Sequence, residues 1–229
     1  DPKKDKTPAL FQRYGKFIES LNGKYITAED VGTSTLDMVN IRSATQYVTG
    51  LPEGMGGGGD PSPVTAYGVY MGMKASAKEY WGDDSLKDKK IAVQGVGHVG
   101  ENLVRLVTEE GAIVFITDLN QENLKNVSEK YGAKIVAPDK VYDLDVDIYA
   151  PCALGATLNT ENINKLHCVI IAGAANNQLA DENIHVKMLN EKGILIVPDF
   201  LINAGGHINV NFELKGYDMK TEMEHTGNI

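Results

Sequence analysis

The sequence predicts an α/β fold, a doubly wound parallel sheet with the remnant of a second domain. Three observations predict it. Residues 90–197 alternate short apolar runs with stretches of helical periodicity, the pattern of strand–helix–strand units. The runs are unbroken (I-A-V at 91–93, V-I-I-A at 169–172), as in strands buried on both faces. Glycines stand where four of the helices must end, at 23, 111, 132 and 193.

Taken in order, the chain first offers Thr7 as a helix cap with Pro8 at the first helical position. Leu10, Phe11, Tyr14, Phe17, Ile18 and Leu21 fall on one helical face, which predicts core packing, and Gly23 ends the helix. Residues 24–27 read as a short strand. A-E-D-V-G-T-S-T at 28–35 is a loop with two acids and a capping signal for a helix over about 36–44. The glycines at 56–59 cannot sit inside a regular element without a large entropy cost, so they mark a boundary or hinge. Ser62 and Pro63 start a long helix to about Trp81, with Val64, Tyr67, Gly68, Met71 and Ala75 on one side.

Residues 90–118 then read as strand, glycine turn, helix, strand and acid. Gly95, Gly97 and Gly100 form G-x-G-x-x-G, with Val96, His98 and Val99 between them. The first glycine permits a tight turn, the second lets backbone approach a pyrophosphate, and the third lets helix pack on strand. The helix start offers free N–H groups to phosphate. Leu103, Val104, Leu106 and Val107 make its apolar stripe, and Gly111 ends it. A strand over 112–117 leads to Asp118, 18 residues beyond Gly100, where an acid accepts hydrogen bonds from a ribose hydroxyl and repels a 2′-phosphate. The expected cofactor is therefore NAD, held in a Rossmann domain.

Further helices are predicted at 121–131, 160–166 and 182–191, and strands at 135–136, 146–150, 169–172 and 194–197, with another helix starting near Gly206. In such a sheet ligands bind at the strand C-termini. Those ends carry the glycine turn, Asp118, the 150–152 segment, Asn176 with Asn177, and the 203–206 loop.

The net charge of −9 argues against nucleic acid and anionic membrane as partners. The opening D-P-K-K-D-K-T-P lacks the apolar core of a secretion signal, and a cytoplasmic location is expected. Cys152 and Cys168 have no metal-ligand spacing, so packing is their expected role and no metal site is expected. His98 lies in the phosphate turn, where it either helps bind an anion or faces solvent; His167, His185 and His225 read as surface residues. Asp30 is the candidate acid–base group, since exclusion of water in a cleft would raise its pKa. The alternative is that Asp30 or Glu29 caps the next helix or faces water.

Six motifs in order carry a family resemblance: Y-I-T-A-E-D-V-G-T, S-P-V-T-A-Y-G-V, V-Q-G-V-G-H-V-G, A-P-C-A-L-G-A, A-G-A-A-N-N-Q-L and I-N-A-G-G. Over essentially all 229 residues the chain resembles the leucine/phenylalanine/valine branch of the glutamate dehydrogenase superfamily. The resemblance implies NAD-dependent oxidative deamination of a branched-chain L-amino acid (leucine, also valine and isoleucine) to the 2-oxo acid and ammonia. It implies Asp30 as catalytic residue. It implies Thr65, Ala150, Ala172, Asn176 and Asn177 at the cofactor besides the glycine turn and Asp118. Asn177, His207 and Val210 are implied at the substrate, His207 where relatives carry an aliphatic residue. An imidazole there either narrows the pocket or turns aside to bond backbone.

The resemblance also implies a homo-oligomer, an octamer, and tolerance of alanine at position 100. The implied division is 1–57 for the end of a substrate/oligomerisation domain with its hinge, 58–212 for the NAD domain, and 213–229 for helices returning to the first domain. The family's G-G-G-K lysine falls outside this sequence, and Lys3, Lys4 and Lys6 do not match it. The chain as given is thus expected to bind NAD without turning over an amino acid. The same chemistry on an aromatic amino acid, and a non-catalytic NAD-binding module, are the alternative readings.

Overall fold

The structure, a computed structural model, describes residues 4–30, 32–215 and 218–228. Lys3 of the basic turn and Val31 of the Asp30 loop lie outside the described residues. The chain forms two compact units, Asp1–Pro61 with Gly206–His225, and Ser62–Gly205 with Thr226–Ile229. The breaks between these units fall at 61/62, 205/206 and 225/226.

The second unit contains the sheet. After helix α3 (Ser62–Trp81) come β1 (Lys90–Gln94), α4 (His98–Glu109), β2 (Ile113–Thr117), α5 (Gln121–Tyr131), β3 (Lys134–Ile135), β4 (Ile148–Pro151), α6 (Thr160–Lys165), β5 (Ile170–Ile171), α7 (Glu182–Glu191), β6 (Leu195–Ile196) and α8 (Asp199–Ile202). Among the described residues the sheet has six strands in the order β3-β2-β1-β4-β5-β6, and every pairing is parallel. This is the order of a Rossmann fold, the doubly wound parallel sheet expected from the sequence. The register sets Val93 beside Ile116 and Ala150.

Side-chain alternation along the strands builds two cores. Ile91, Val93, Ile116, Ile148 and Ile170 pack with Val69 and Met73 of α3, Leu103 and Val107 of α4, and Leu124 and Val127 of α5. Ala92, Tyr149 and Ile171 pack on the other face with Ile163, Leu166 and Leu189. The predicted face of α3 is buried only in part: Val64 and Gly68 are buried, Tyr67 and Met71 half-buried and Ala75 exposed, while Ala66, Gly72 and Ala77 are also buried. Periodicity could not choose, because α3 is apolar nearly all round. Close approach did, since a Cβ on Gly72 would lie 2.6 Å from Ile202 Cγ1.

The first unit contains α1 (Pro8–Ser20), α2 (Thr35–Arg42), α9 (Gly205–Lys215) and α10 (Met219–Thr226). The Leu10 N–H donates to Thr7 Oγ1 at 3.1 Å, as the cap requires. The predicted apolar face of α1 is buried only in part, through Ile18 and the half-buried Phe11 and Leu21. Gly15 and Ile18 are buried, whereas Leu10 and Phe17 are 51% and 60% exposed and Tyr14 is exposed as well. A Cβ on Gly15 would lie 2.7 Å from the Ile41 carbonyl, so α1 approaches the end of α2 at its glycine and leaves the larger side chains outside. The strand expected at 24–27 reduces to one parallel bridge between Thr27 and Val48. Ser34 caps α2.

His185 corrects another expectation, being 4% exposed rather than on the surface. Its Nδ1 accepts the Asp181 N–H at 2.9 Å and its Nε2 lies 3.1 Å from Thr160 Oγ1, so the imidazole ties α7 to the start of α6. Burial pushes the thiols of Cys152 and Cys168 up to about 11 and about 12, which keeps both protonated and unreactive near neutrality. No helix among the described residues is long and apolar enough to cross a membrane.

Glu110, just past α4, ties the second unit together. Its Oε1 accepts the Leu86 N–H and the Lys74 ammonium, each at 3.0 Å. Burial pushes this carboxyl up, but those bonds and one from Tyr70 outweigh it and hold it below the ordinary range. Glu110→Ala should therefore cost about 2 kcal/mol at pH 7, because a buried N–H and an ammonium lose their acceptor. A depressed carboxyl stabilises fully above its unfolded pKa of about 4.3, and the contribution is lost as pH falls through the lower folded value. Urea unfolding from pH 7 to pH 3 should show the wild type losing this margin and the variant having none to lose. Parallel curves would refute it.

Candidate functional site

The C-terminal edge of the sheet gathers most of the residues singled out from the sequence. Gly95 leaves β1 with φ +95°, and a Cβ there would meet Ala153 N at 2.7 Å and Cys152 C at 2.8 Å. Only glycine meets both demands without strain. Gly97 is the N-cap of α4, which has no side-chain cap, and nothing lies within 4 Å of where its Cβ would be. The helix start thus carries no side-chain cap, and its backbone at Gly97 is open to a close-approaching group. These are the two properties an anion site at a helix start needs. His98, exposed, and Val99, half-buried, open α4. A Cβ on Gly100 would lie 2.0 Å from the Gly95 carbonyl, so alanine there requires the turn to shift, contrary to the tolerance expected.

Asp118 follows β2 and is built into this turn. Its Oδ2 accepts the Val96 N–H and its Oδ1 the Asn120 N–H, both at 2.7 Å. A carboxylate has about four acceptor positions, so two remain for hydroxyls. The residues therefore fit a dinucleotide on three separate counts: open backbone at Gly97, an uncapped helix start, and an acid at the end of β2.

Ala150 is buried in β4, and the Cys152 N–H continues the ladder to the Gln94 carbonyl at 2.7 Å. Ala172 is buried just past β5, bonded to the Tyr149 carbonyl at 3.1 Å. The loops after β4 and β5 pair through Ala156 N–H to the Asn177 carbonyl at 2.7 Å and Leu158 N–H to the Gln178 carbonyl at 3.0 Å. Ala156 and Asn177 have φ of +61° and +51°, a conformation costing L-residues about 1–2 kcal/mol. Such strain persists where surrounding bonds over-determine it. Asn176 and Asn177 are both exposed.

Asn203 was not singled out from the sequence, yet its Nδ2 donates to Asn176 Oδ1 and to the Ala174 carbonyl. The only sequence signal was its place in N-A-G-G at the end of the last strand–helix unit. Thr65, half-buried in the first turn of α3, lies against Gly205, whose Cβ would be 2.5 Å from the Val64 carbonyl and 3.0 Å from Thr65 Cα.

Three of the predicted residues belong to the first unit. Asp30 is exposed, and its loop is closed by reciprocal bonds with Thr33: Asp30 N–H to Oγ1 at 2.8 Å and Thr33 N–H to the Asp30 carbonyl at 2.8 Å. The nearby Tyr25 hydroxyl is pushed up by its hydrogen bond with Tyr14, by burial and by the charge of Asp30. His207, exposed, and Val210, half-buried, lie three residues apart on α9 and so share a helical face.

A family model described as Glutamate/Leucine/Phenylalanine/Valine dehydrogenase matches residues 56–120 and 115–226. The chain belongs to this dehydrogenase family. Within it, a leucine dehydrogenase of Thermoactinomyces intermedius is 55% identical over all 229 residues, which make up 62% of that relative. A leucine dehydrogenase of Bacillus subtilis (strain 168) is 52% identical over the same span, 63% of its length. Among solved structures, L-tryptophan dehydrogenase from Nostoc punctiforme superposes with a TM-score of 0.80 at 43% identity, covering 100% of this chain and 65% of that one. The chain thus spans less than two thirds of the length of these family members. Its glycine turn, Asp118 and the paired loops after β4 and β5 lie in the part that the family model matches.

Proposed function

We propose that the protein is a leucine dehydrogenase, catalysing NAD-dependent oxidative deamination of a branched-chain L-amino acid to a 2-oxo acid and ammonia. One observation carries the substrate class: identity to a leucine dehydrogenase is 55% along the whole chain, against 43% to the tryptophan enzyme. The cofactor reading rests on the fit of the Gly95–Asp118 region to a dinucleotide without a 2′-phosphate. NAD would supply the acceptor for the hydride leaving the substrate Cα.

The residues divide the remaining work. Backbone of Gly97, His98, Val99 and Gly100 holds the pyrophosphate, Val96 fixes the turn through Asp118, and Asp118 holds the ribose. Thr65, Asn176 and Asn177 orient the nicotinamide end beside Ala150 and Ala172, with Asn203 bracing Asn176. Asp30 moves a proton at the substrate amino group, the task of a general acid–base carboxyl. Asn177, His207 and Val210 select the substrate. The reading includes a cytoplasmic homo-oligomer, octameric in the resemblance. The exposed Leu10, Tyr14 and Phe17 of α1 offer apolar surface of the kind subunit contacts cover.

The test is NAD reduction by the full-length protein with L-leucine, L-valine, L-isoleucine, L-phenylalanine and L-tryptophan, and with NADP in place of NAD. The reading requires the highest kcat/KM for an aliphatic substrate and a strong preference for NAD. Highest activity on an aromatic substrate would favour the tryptophan or phenylalanine branch, and none at all would leave only cofactor binding. His207→Val should shift the leucine-to-valine ratio of kcat/KM several-fold, since one methylene in an apolar pocket is worth roughly tenfold or more. An unchanged ratio removes His207 from the pocket.

A further inference from the structure

Glu213 stands on α9, and its carboxylate gathers backbone from a distant loop of the same unit. Its Oε2 accepts the Gly50 N–H at 2.8 Å and the Gly58 N–H at 3.3 Å, and its Oε1 accepts the Leu51 N–H at 3.4 Å. Residues 50 and 51 enter the glycine-rich loop and residue 58 leaves it. The loop is also bonded across its mouth, Gly59 N–H to the Leu51 carbonyl at 3.0 Å and Gly57 N–H to the Pro52 carbonyl at 3.3 Å. A Cβ on Gly57 would lie 2.0 Å from the Leu51 carbonyl, so the closure depends on glycine. The run at 56–59 is thus closed by its own backbone bonds, with Gly58 alone of the four reaching the Glu213 carboxylate among the bonds described. Hydrogen bonds to an ionised acceptor are the strong kind.

The entering limb of this loop lies along the segment that ends in Asp30. Thr27 N–H donates to the Tyr47 carbonyl at 3.0 Å and Thr49 N–H to the Thr27 carbonyl at 2.9 Å. Gly50 has φ +77°, and a Cβ there would meet Glu29 Cβ at 2.8 Å and Glu29 N at 3.0 Å. Residues 47–50 thus set where the chain stands one residue before Asp30. Glu213 holds Gly50 and Leu51 from the other side.

We infer that Glu213 is a positioning residue for Asp30, acting through the Gly50–Glu29 contact. The inference rests on the proposed dehydrogenase activity, with Asp30 as its acid–base group. Glu213→Gln keeps the side-chain length but replaces one acceptor by an NH2 that confronts N–H donors. In the full-length protein it should lower kcat for L-leucine roughly 10- to 100-fold, the range that a misplacement of about 1 Å produces. KM for L-leucine should change far less than kcat, and Kd for NAD should stay within about twofold, because the dinucleotide residues belong to the other unit. Glu213→Asp, which keeps the charge, should recover part of kcat. Hydrogen exchange should quicken over residues 50–58 and 27–30 in the glutamine variant.

Retained protection over 50–58, or kcat within about twofold of wild type, overturns the inference. So does a fall in kcat matched by equal loss of NAD affinity and a lower Tm, the mark of a merely structural role. A wild type that reduces NAD with no amino acid overturns the proposed function and this inference together. An active wild type indifferent to Glu213 overturns the inference alone.

Discussion

Asp30→Asn in the full-length protein is expected to lower kcat by roughly 100- to 10,000-fold, the range that a positioned acid–base group supplies. Asparagine matches aspartate in size, and the bonds closing the Asp30–Thr33 turn use the Asp30 backbone, not its carboxylate. The turn closed by these backbone bonds should therefore persist while the proton carrier is lost. Dinucleotide binding, assigned to the other unit, should hold within about twofold, since none of its groups is changed. Steady-state kinetics beside fluorescence titration of NADH separate the two effects. A loss of kcat below about tenfold would remove Asp30 from the proton-transfer step.

Gly95→Ala should strike the other half of the reaction. The new Cβ would sit 2.7 Å from Ala153 N on a backbone with φ +95°, so both the turn and the loop after β4 must move. Strain of this kind costs about 1–3 kcal/mol of stability. The displaced N–H groups should weaken NAD roughly 100-fold or more, as a shift of about 1 Å at a positioned group does. Calorimetric titration with NAD and urea unfolding measure the two losses. Wild-type affinity in the variant would show that the turn does not hold the dinucleotide.

The sheet and its cofactor edge were legible in the sequence because each part has a local cause. Strands buried on both faces leave runs such as I-A-V at 91–93, and a turn with φ near +95° leaves Gly95. Features set by distant partners were not legible. The buried face of α1 is centred where Gly15 meets the Ile41 carbonyl, so Ile18 of the predicted stripe goes in while Leu10, Tyr14 and Phe17 stay outside. His185 is buried because both ring nitrogens find partners, the Asp181 N–H four residues back and Thr160 25 residues away, and the sequence does not announce the second. Asn203 and Glu213 act across 27 and 163 residues, on Asn176 and Gly50. Neither has a motif that names its partner. The strand expected at 24–27 shrank because a strand needs a pairing partner along its length, and among the described residues Thr27 finds a single bridge partner, Val48.

The bond from Val96 N–H to Asp118 Oδ2 has a consequence for redesign. The usual route to an enzyme that accepts NADP is to replace the acid after the second strand with a small or basic residue. In this protein that exchange would also remove the acceptor that pins the phosphate turn, so gain in selectivity and loss of grip would arrive in one substitution. A cofactor switch here needs two changes: a cation for the added phosphate, and a neutral acceptor, such as asparagine or serine, kept at position 118 within reach of Val96.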